Sequence, residues 1–161
     1  MNDTFFISDT HFGQYNYKKF VPWIVQMTHE EYIEQVITRW NSVVKNGDTV
    51  WVLGDVACNV QGLITFERLN GQKHLIKGNH DIKCTLSYLR FFNSIHGIIK
   101  KHGYWLSHCP IHPAELRGLL NIHGHVHQNE LIDPNYIYVG ADKLQGYPIS
   151  LDEINRKYRP K

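Results

Sequence analysis

Short apolar runs, each closed by a turn signal, recur along the chain. Thr4–Ser8 leads into Asp9, and Thr49–Leu53 leads into Gly54 and Asp55. His74–Lys77 leads into Gly78 and Asn79, Tyr104–Ser107 into His108, and Leu119–Ile122 into His123, Gly124 and His125. Runs of this length, rich in Val, Ile, Leu and aromatic residues, read as buried strands. Between them the period changes. From Thr28 to Val44 the apolar residues Tyr32, Val36, Ile37, Trp40, Val43 and Val44 fall at helical spacing. Thr28 with Glu31 three positions later forms a capping-box pattern, and Gly47 supplies a stop. A second helix is predicted over about Val60–Leu69, and a short one over Leu151–Tyr158 after Ser150 as a cap. Strands alternating with helices indicate an α/β layered fold. From about Ile95 onward strands outnumber helices, which favours a mixed sheet or two packed sheets over one parallel array.

Length and composition set bounds on this picture. A chain of 161 residues fits a single domain over 1–161. With 42% hydrophobic and 20% charged residues it has an ordinary globular composition. No run approaches the roughly 20 apolar residues of a membrane span. The first residues lack the basic start and long apolar stretch of a secretory signal, so the expected compartment is the cytoplasm. Cys58, Cys84 and Cys109 have neither metal-type nor redox-type spacing and read as reduced structural thiols. The net charge of +2 gives no broad surface for tracking duplex nucleic acid. The anomaly is the eleven histidines, and their positions matter more than their number.

Each of the five strand-like runs ends in a residue that binds metals well. Side chains at such ends collect over the edge of a rigid sheet. Asp9 and His11 stand two apart, so on an extended strand both would face one side and grip one ion. Alone, such a pair is more often a capping aspartate and a surface histidine. Asp55 after Gly54 alone reads as a turn residue. Gly78-Asn79-His80-Asp81 is more specific. Asn79 offers an uncharged oxygen, His80 an acid–base group, and Asp81 an acceptor for the imidazole. His108 precedes Cys109, which is read as structural because the other candidate donors are nitrogen and oxygen. His125 and His127 are again two apart and can serve two neighbouring ions.

Taken in order, D-x-H, G-D, G-N-H-D, H and G-H-x-H resemble the calcineurin-like metallophosphoesterase superfamily. The stretches SDTHFG, WNSVVKNGDTVWVLGDV, LNGQKHLIKGNHD, HGHVH and VGADKLQGYPISLDEI look like those of its small single-domain bacterial and phage members. The resemblance implies a β-sandwich of mixed sheets flanked by helices, in four layers α/β/β/α. It implies one divalent ion on Asp9, His11, Asp55 and His127, and a second on Asp55, Asn79, His108 and His125, with Asp55 bridging. Mn²⁺ is the first expectation, with Fe, Zn²⁺ and Ni²⁺ compatible with the same donors. A hydroxide between the ions would attack phosphorus. His80 would stabilise the transition state or protonate the leaving oxygen, and Asp81 would orient His80.

Two departures from the family pattern, Gln14 and the segment Phe20-Val21-Pro22-Trp23, bear on substrate choice and leave the metal centre intact. Lys18, Lys19, Lys83 and Arg117 are alternatively substrate-phosphate contacts or solvated surface. His29, His74, His96, His102, His112 and His123 match no ligand position. The expected substrate is a small phosphorylated molecule, such as a nucleotide, in monoester or diester form. A nuclease and a non-catalytic scaffold are the alternatives; the full donor set and His80 argue against the scaffold.

Overall fold

The computed structural model describes residues 2–17, 21–81, 84–129 and 131–159. Its first sheet runs in the order β4-β3-β2-β1-β9, from β1 (Thr4–Ile7), β2 (Thr49–Val52), β3 (Gln72–Ile76), β4 (Ser94–His96) and β9 (Ile149–Ser150). The first four are parallel, and β9 joins β1 antiparallel. The second sheet runs β5-β6-β7-β8, from β5 (Ile98–Lys101), β6 (Tyr104–Ser107), β7 (Leu120–His123) and β8 (Tyr136–Tyr138). There β5 is antiparallel to β6, while β6, β7 and β8 are parallel.

The alternation of side chains builds two cores. Phe5 and Ile7 of β1, Val50 and Val52 of β2 and Leu75 of β3 face α1 (His29–Val43), α2 (Val60–Ile64) and a 3₁₀ turn at Thr65–Arg68. Phe6, Trp51, Leu53 and Ile76 face the other way, onto Tyr104, Leu106, Ile122 and Ile137 of the second sheet. The protein is therefore built of two mixed sheets flanked by helices. Over the outer face of the second sheet the cover is thin. The single turn α4 (Pro113–Leu116) takes a hydrogen bond from Trp105 Nε1 to Leu116 O at 3.2 Å. α5 (Leu151–Tyr158) buries Ile154 in the core between the sheets.

α1 begins where the capping box places it. Thr28 accepts from the Glu31 amide at 3.1 Å, and Glu31 accepts from the Thr28 amide at 2.7 Å. Its buried face is Tyr32, Val36, Ile37 and Trp40. Trp40 is wholly buried against Phe66 and spends its indole N–H on Asn70 O at 3.0 Å. The helix predicted over Val60–Leu69 is instead α2 followed by the 3₁₀ turn.

Candidate metal centre

Parallel pairing sends the carboxyl ends of β1, β2 and β3 to one edge of the first sheet, and β6 and β7 deliver theirs to the same place. Two backbone links join the sheets there. The Ser8 amide donates to Val139 O at 3.0 Å, and the Ala141 amide donates to Ser8 O at 2.8 Å. Asp9, His11, Asp55 and His108 form a buried floor, while Asn79, His80 and His125 form an exposed rim.

The donor atoms converge to within 4 Å of one another in pairs. His11 Nε2 lies 3.8 Å from Asp9 Oδ1 and 3.7 Å from Asp55 Oδ2. His127 Nε2 lies 3.8 Å from the same Asp9 oxygen. His108 Nε2 stands 3.3 Å from Asp55 Oδ2 and 2.9 Å from Asn79 Oδ1. Asp9, His11 and His127 form one group of mutually close donors, and Asp9, Asp55 and His108 form another. His11 is 3% exposed, yet neither of its ring nitrogens has a hydrogen-bond partner. A buried orphan of this kind costs about 1–3 kcal/mol, and an ion among these oxygen and nitrogen donors removes that cost. The residues fit divalent metals.

The route by which these side chains converge differs from the expectation. Asp9 and His11 do not project from an extended strand. Both lie in the left-handed region, at φ 55° and 44°, as do Asp55 at 53°, His125 at 74° and His127 at 47°. L-residues pay for that conformation in steric strain, and such positions persist where the surroundings hold them in place. Here the loops are clamped: the Asp9 amide donates to Gly54 O at 2.9 Å and the His11 amide to Asp55 O at 3.0 Å. Gly54 turns the chain at φ 86°. At Gly124 a Cβ would meet Asp9 Oδ2 at 2.5 Å and Ser8 Oγ at 2.6 Å, so only glycine fits there.

Local partners set the charge of each donor. Burial lifts the Asp9 carboxyl to about 6, against the pull of His108, Ser8 and His127. Burial pushes His11 down to about 4. For Asp55 the desolvation is outweighed by His108 and by the His80 amide, 2.8 Å from Oδ1, and its carboxyl falls below the usual range. His108 and His127 both rise. Burial opposes the rise in each case, but Asp55 and Asp9 overcome it at His108, and Asp142 and Asp9 at His127.

Asp142, which the sequence reading did not single out, is the carboxylate behind His127. Its Oδ2 lies 3.4 Å from His127 Nδ1, and its Oδ1 accepts from Tyr138 Oη at 2.5 Å, leaving Nε2 for the site. Leu53 O does the same for His108, at 2.8 Å from Nδ1. The buried Tyr17 hydroxyl donates to Asp9 O. In the sequence Asp142 stands within VGADKLQG, with no local signal that places it beside His127.

Asp81 was expected to orient His80. Its hydrogen bonds run elsewhere: it accepts from the backbone amides of Asp55 and Val56, each at 2.9 Å, and of Gly78 at 2.8 Å. It thereby ties the loop after β2 to the loop after β3. His80 meets the site through Nε2, 4.0 Å from Asp55 Oδ2. Lys18, Lys19 and Lys83 lie outside the described residues. Arg117 pairs with Glu115 at 3.0 Å on the surface.

Five of the six remaining histidines have structural partners. His29 accepts from the Gly13 amide at 2.9 Å, His112 caps α4, and His123 is buried with Nδ1 at 2.8 Å from Gly124 O. His74 and His96 flank Ser94 Oγ at 2.7 and 2.9 Å.

The family model described as calcineurin-like phosphoesterase matches residues 4–161. The chain belongs to the calcineurin-like phosphoesterase family. It is 32% identical to an uncharacterised protein of Methanocaldococcus jannaschii, over 96% of this chain and 90% of that one. It is 29% identical to the gene 66 protein of Mycobacterium phage L5, over 96% and 93% of the two chains. The crystal structure of a protein of unknown function from Aquifex aeolicus matches it at a TM-score of 0.76 and 28% identity, covering 97% of this chain and 99% of that one. Membership of the calcineurin-like phosphoesterases implies metal-dependent hydrolysis of phosphoesters. Among the described residues, no helix is long and apolar enough to cross a membrane.

Proposed function

We propose that the protein hydrolyses a phosphomonoester or phosphodiester of a small, nucleotide-like molecule, using two divalent ions at this site. The observation that carries the reading is the convergence of Asp9, His11, Asp55, Asn79, His108 and His127 within a few ångströms, around the buried His11 imidazole, whose ring nitrogens have no hydrogen-bond partner. Asp9, His11, Asp55 and His127 would hold one ion, and Asp55, Asn79, His108 and His125 the other. Mn²⁺ is the first candidate, with Fe, Zn²⁺ and Ni²⁺ also suited to these donors. When bound, the ions supply Lewis acidity at phosphorus and an activated water near neutral pH.

The chain's own residues do the rest. Asp55 would carry negative charge between two cations. Asp142 and Leu53 O keep His127 and His108 in the tautomer that presents Nε2. The exposed His80, its backbone fixed on Asp55 Oδ1, stands where it can donate a proton to a leaving oxygen. The open rim of Asn79, His80 and His125 suits a small or flexible substrate.

The test is turnover by metal-stripped protein after Mn²⁺ is restored. Substrates are p-nitrophenyl phosphate, bis-p-nitrophenyl phosphate and a panel of linear and cyclic nucleotides. The expected result is manganese-dependent hydrolysis, abolished by Asp55→Ala, with the monoester-to-diester ratio naming the class. His80→Ala is expected to lower kcat by about 10²–10⁴-fold while metal content stays unchanged. Turnover that survives complete metal removal would overturn the proposal.

A further inference from the structure

A thiol stands beside the centre. Cys109 follows His108 and is exposed. Its Sγ, one ring nitrogen of His108 and one of His125 all lie within 4.8 Å of one another. The two rings meet edge-on with centroids 5.0 Å apart. One ion can be reached from all three atoms. The backbone holds this arrangement from both sides. Ser107 Oγ donates to Cys109 O at 2.6 Å, and the Gly124 amide donates to His108 O at 2.9 Å, tying the segment after β6 to the segment before His125. The other thiols are placed differently. Cys58 donates to Gln14 Oε1 at 3.2 Å, and Cys84 is exposed at the start of α3 (Thr85–Tyr88). Among the described residues, neither belongs to a group of metal-competent donors.

We propose that Cys109 is an additional, soft ligand to the ion held by His108 and His125, and that it biases this position toward thiophilic divalent ions over Mn²⁺. The inference rests on the metal-centre reading above. Nitrogen and oxygen donors around it make the thiol look structural from sequence alone, but its sulfur lies among them. Ligation forms one metal–sulfur bond and releases the thiol proton to solvent. It also adds an anionic donor to a position whose other donors, apart from Asp55, are neutral. Thiolate favours Zn²⁺, Co²⁺ and Cd²⁺, whereas Mn²⁺ gains little from it.

The experiment is a Co²⁺ titration of the metal-stripped full chain, followed by absorption, in wild type and Cys109→Ser. Visible ligand-field bands report binding to the centre, and a near-ultraviolet sulfur-to-cobalt charge-transfer band reports the thiolate. The expected result is both bands in wild type, with loss of the charge-transfer band alone in Cys109→Ser. Ligand-field bands without charge transfer in wild type would overturn the proposal and leave the metal centre standing. So would a charge-transfer band that survives in Cys109→Ser. No cobalt bands at all would remove the centre and the proposal together. Alkylation of wild type by iodoacetamide, mapped by peptide mass, serves if the variant does not fold. Co²⁺ is expected to protect Cys109 and leave the exposed Cys84 reactive, and equal rates at Cys109 with and without Co²⁺ would contradict the assignment.

Discussion

Asp142 bears on the site through His127. Its carboxylate sits behind His127 and takes the Tyr138 hydroxyl at 2.5 Å, so it sets the ring's tautomer and angle. Asp142→Ala is expected to weaken binding of a divalent ion by about 10–100-fold while the secondary structure is unchanged; isothermal titration with Mn²⁺ and circular dichroism check the two halves. Gly124 is the opposite case, a position defined by what it lacks. A methyl there would enter the space of Asp9 Oδ2 and Ser8 Oγ. Gly124→Ala should cost about 1–3 kcal/mol in denaturant unfolding and should also depress metal uptake. The candidate donors were legible in the sequence because each stands where an apolar run stops. Asp142 and the left-handed backbone of Asp9, His11, Asp55, His125 and His127 were not. A carboxylate that aims a ligand is known only from the approach of the segment after β8 to the segment after β7, and a positive φ at aspartate or histidine leaves no mark comparable to glycine.

Elements were legible in proportion to how much of their stability is local. α1 carries its own start signal and its own apolar face, and it runs where the spacing places it. Thr28→Ala is expected to cost about 1 kcal/mol in thermal or denaturant unfolding, because the Glu31 amide then loses its acceptor. The strands β4, β8 and β9 are two or three residues long and were not separately read. They exist because neighbours pair with them, as when β9 adds to the free edge of β1, and such pairing is invisible in a local pattern. Asp81 acts at this scale too. Its carboxylate gathers amides from the β2 and β3 loops, and so positions Asp55, Asn79 and His80 together. Asp81→Ala leaves those amides without their acceptor, at about 1–3 kcal/mol for each donor left unsatisfied, and should lower both melting temperature and metal affinity. His80→Ala, by contrast, should lower only turnover.

At the scale of the whole molecule the centre is a charge balance that the fold does not close by itself. Asp9 is held up to about 6, and His108 and His127 are raised above their ordinary value. In the metal-free protein each contributes stability at low pH that is lost as pH rises through its folded value. His11, pushed down to about 4, contributes in the other sense: its stability grows as pH rises from about 4 toward the ordinary value of 6.5. A bound ion must displace protons from Asp9, His108 and His127 but not from His11. Near pH 6 metal uptake should therefore release protons, seen as a dependence of the calorimetric heat on buffer ionisation enthalpy. The rise in melting temperature caused by Mn²⁺ should be larger at pH 8 than at pH 5.5, and the reverse order would contradict this reading of the site.

Two ions bridged by Asp55 at this edge of the sandwich would fix the number of metals each chain takes up. Metal-stripped protein, reloaded with a divalent ion and freed of excess by gel filtration, is assayed for metal per chain by mass spectrometry alongside Asp55→Ala. Two ions per chain are expected in wild type, with loss of both-site occupancy in the variant. Wild-type protein that takes up no ion, or a variant that still holds two, would contradict the bridged pair.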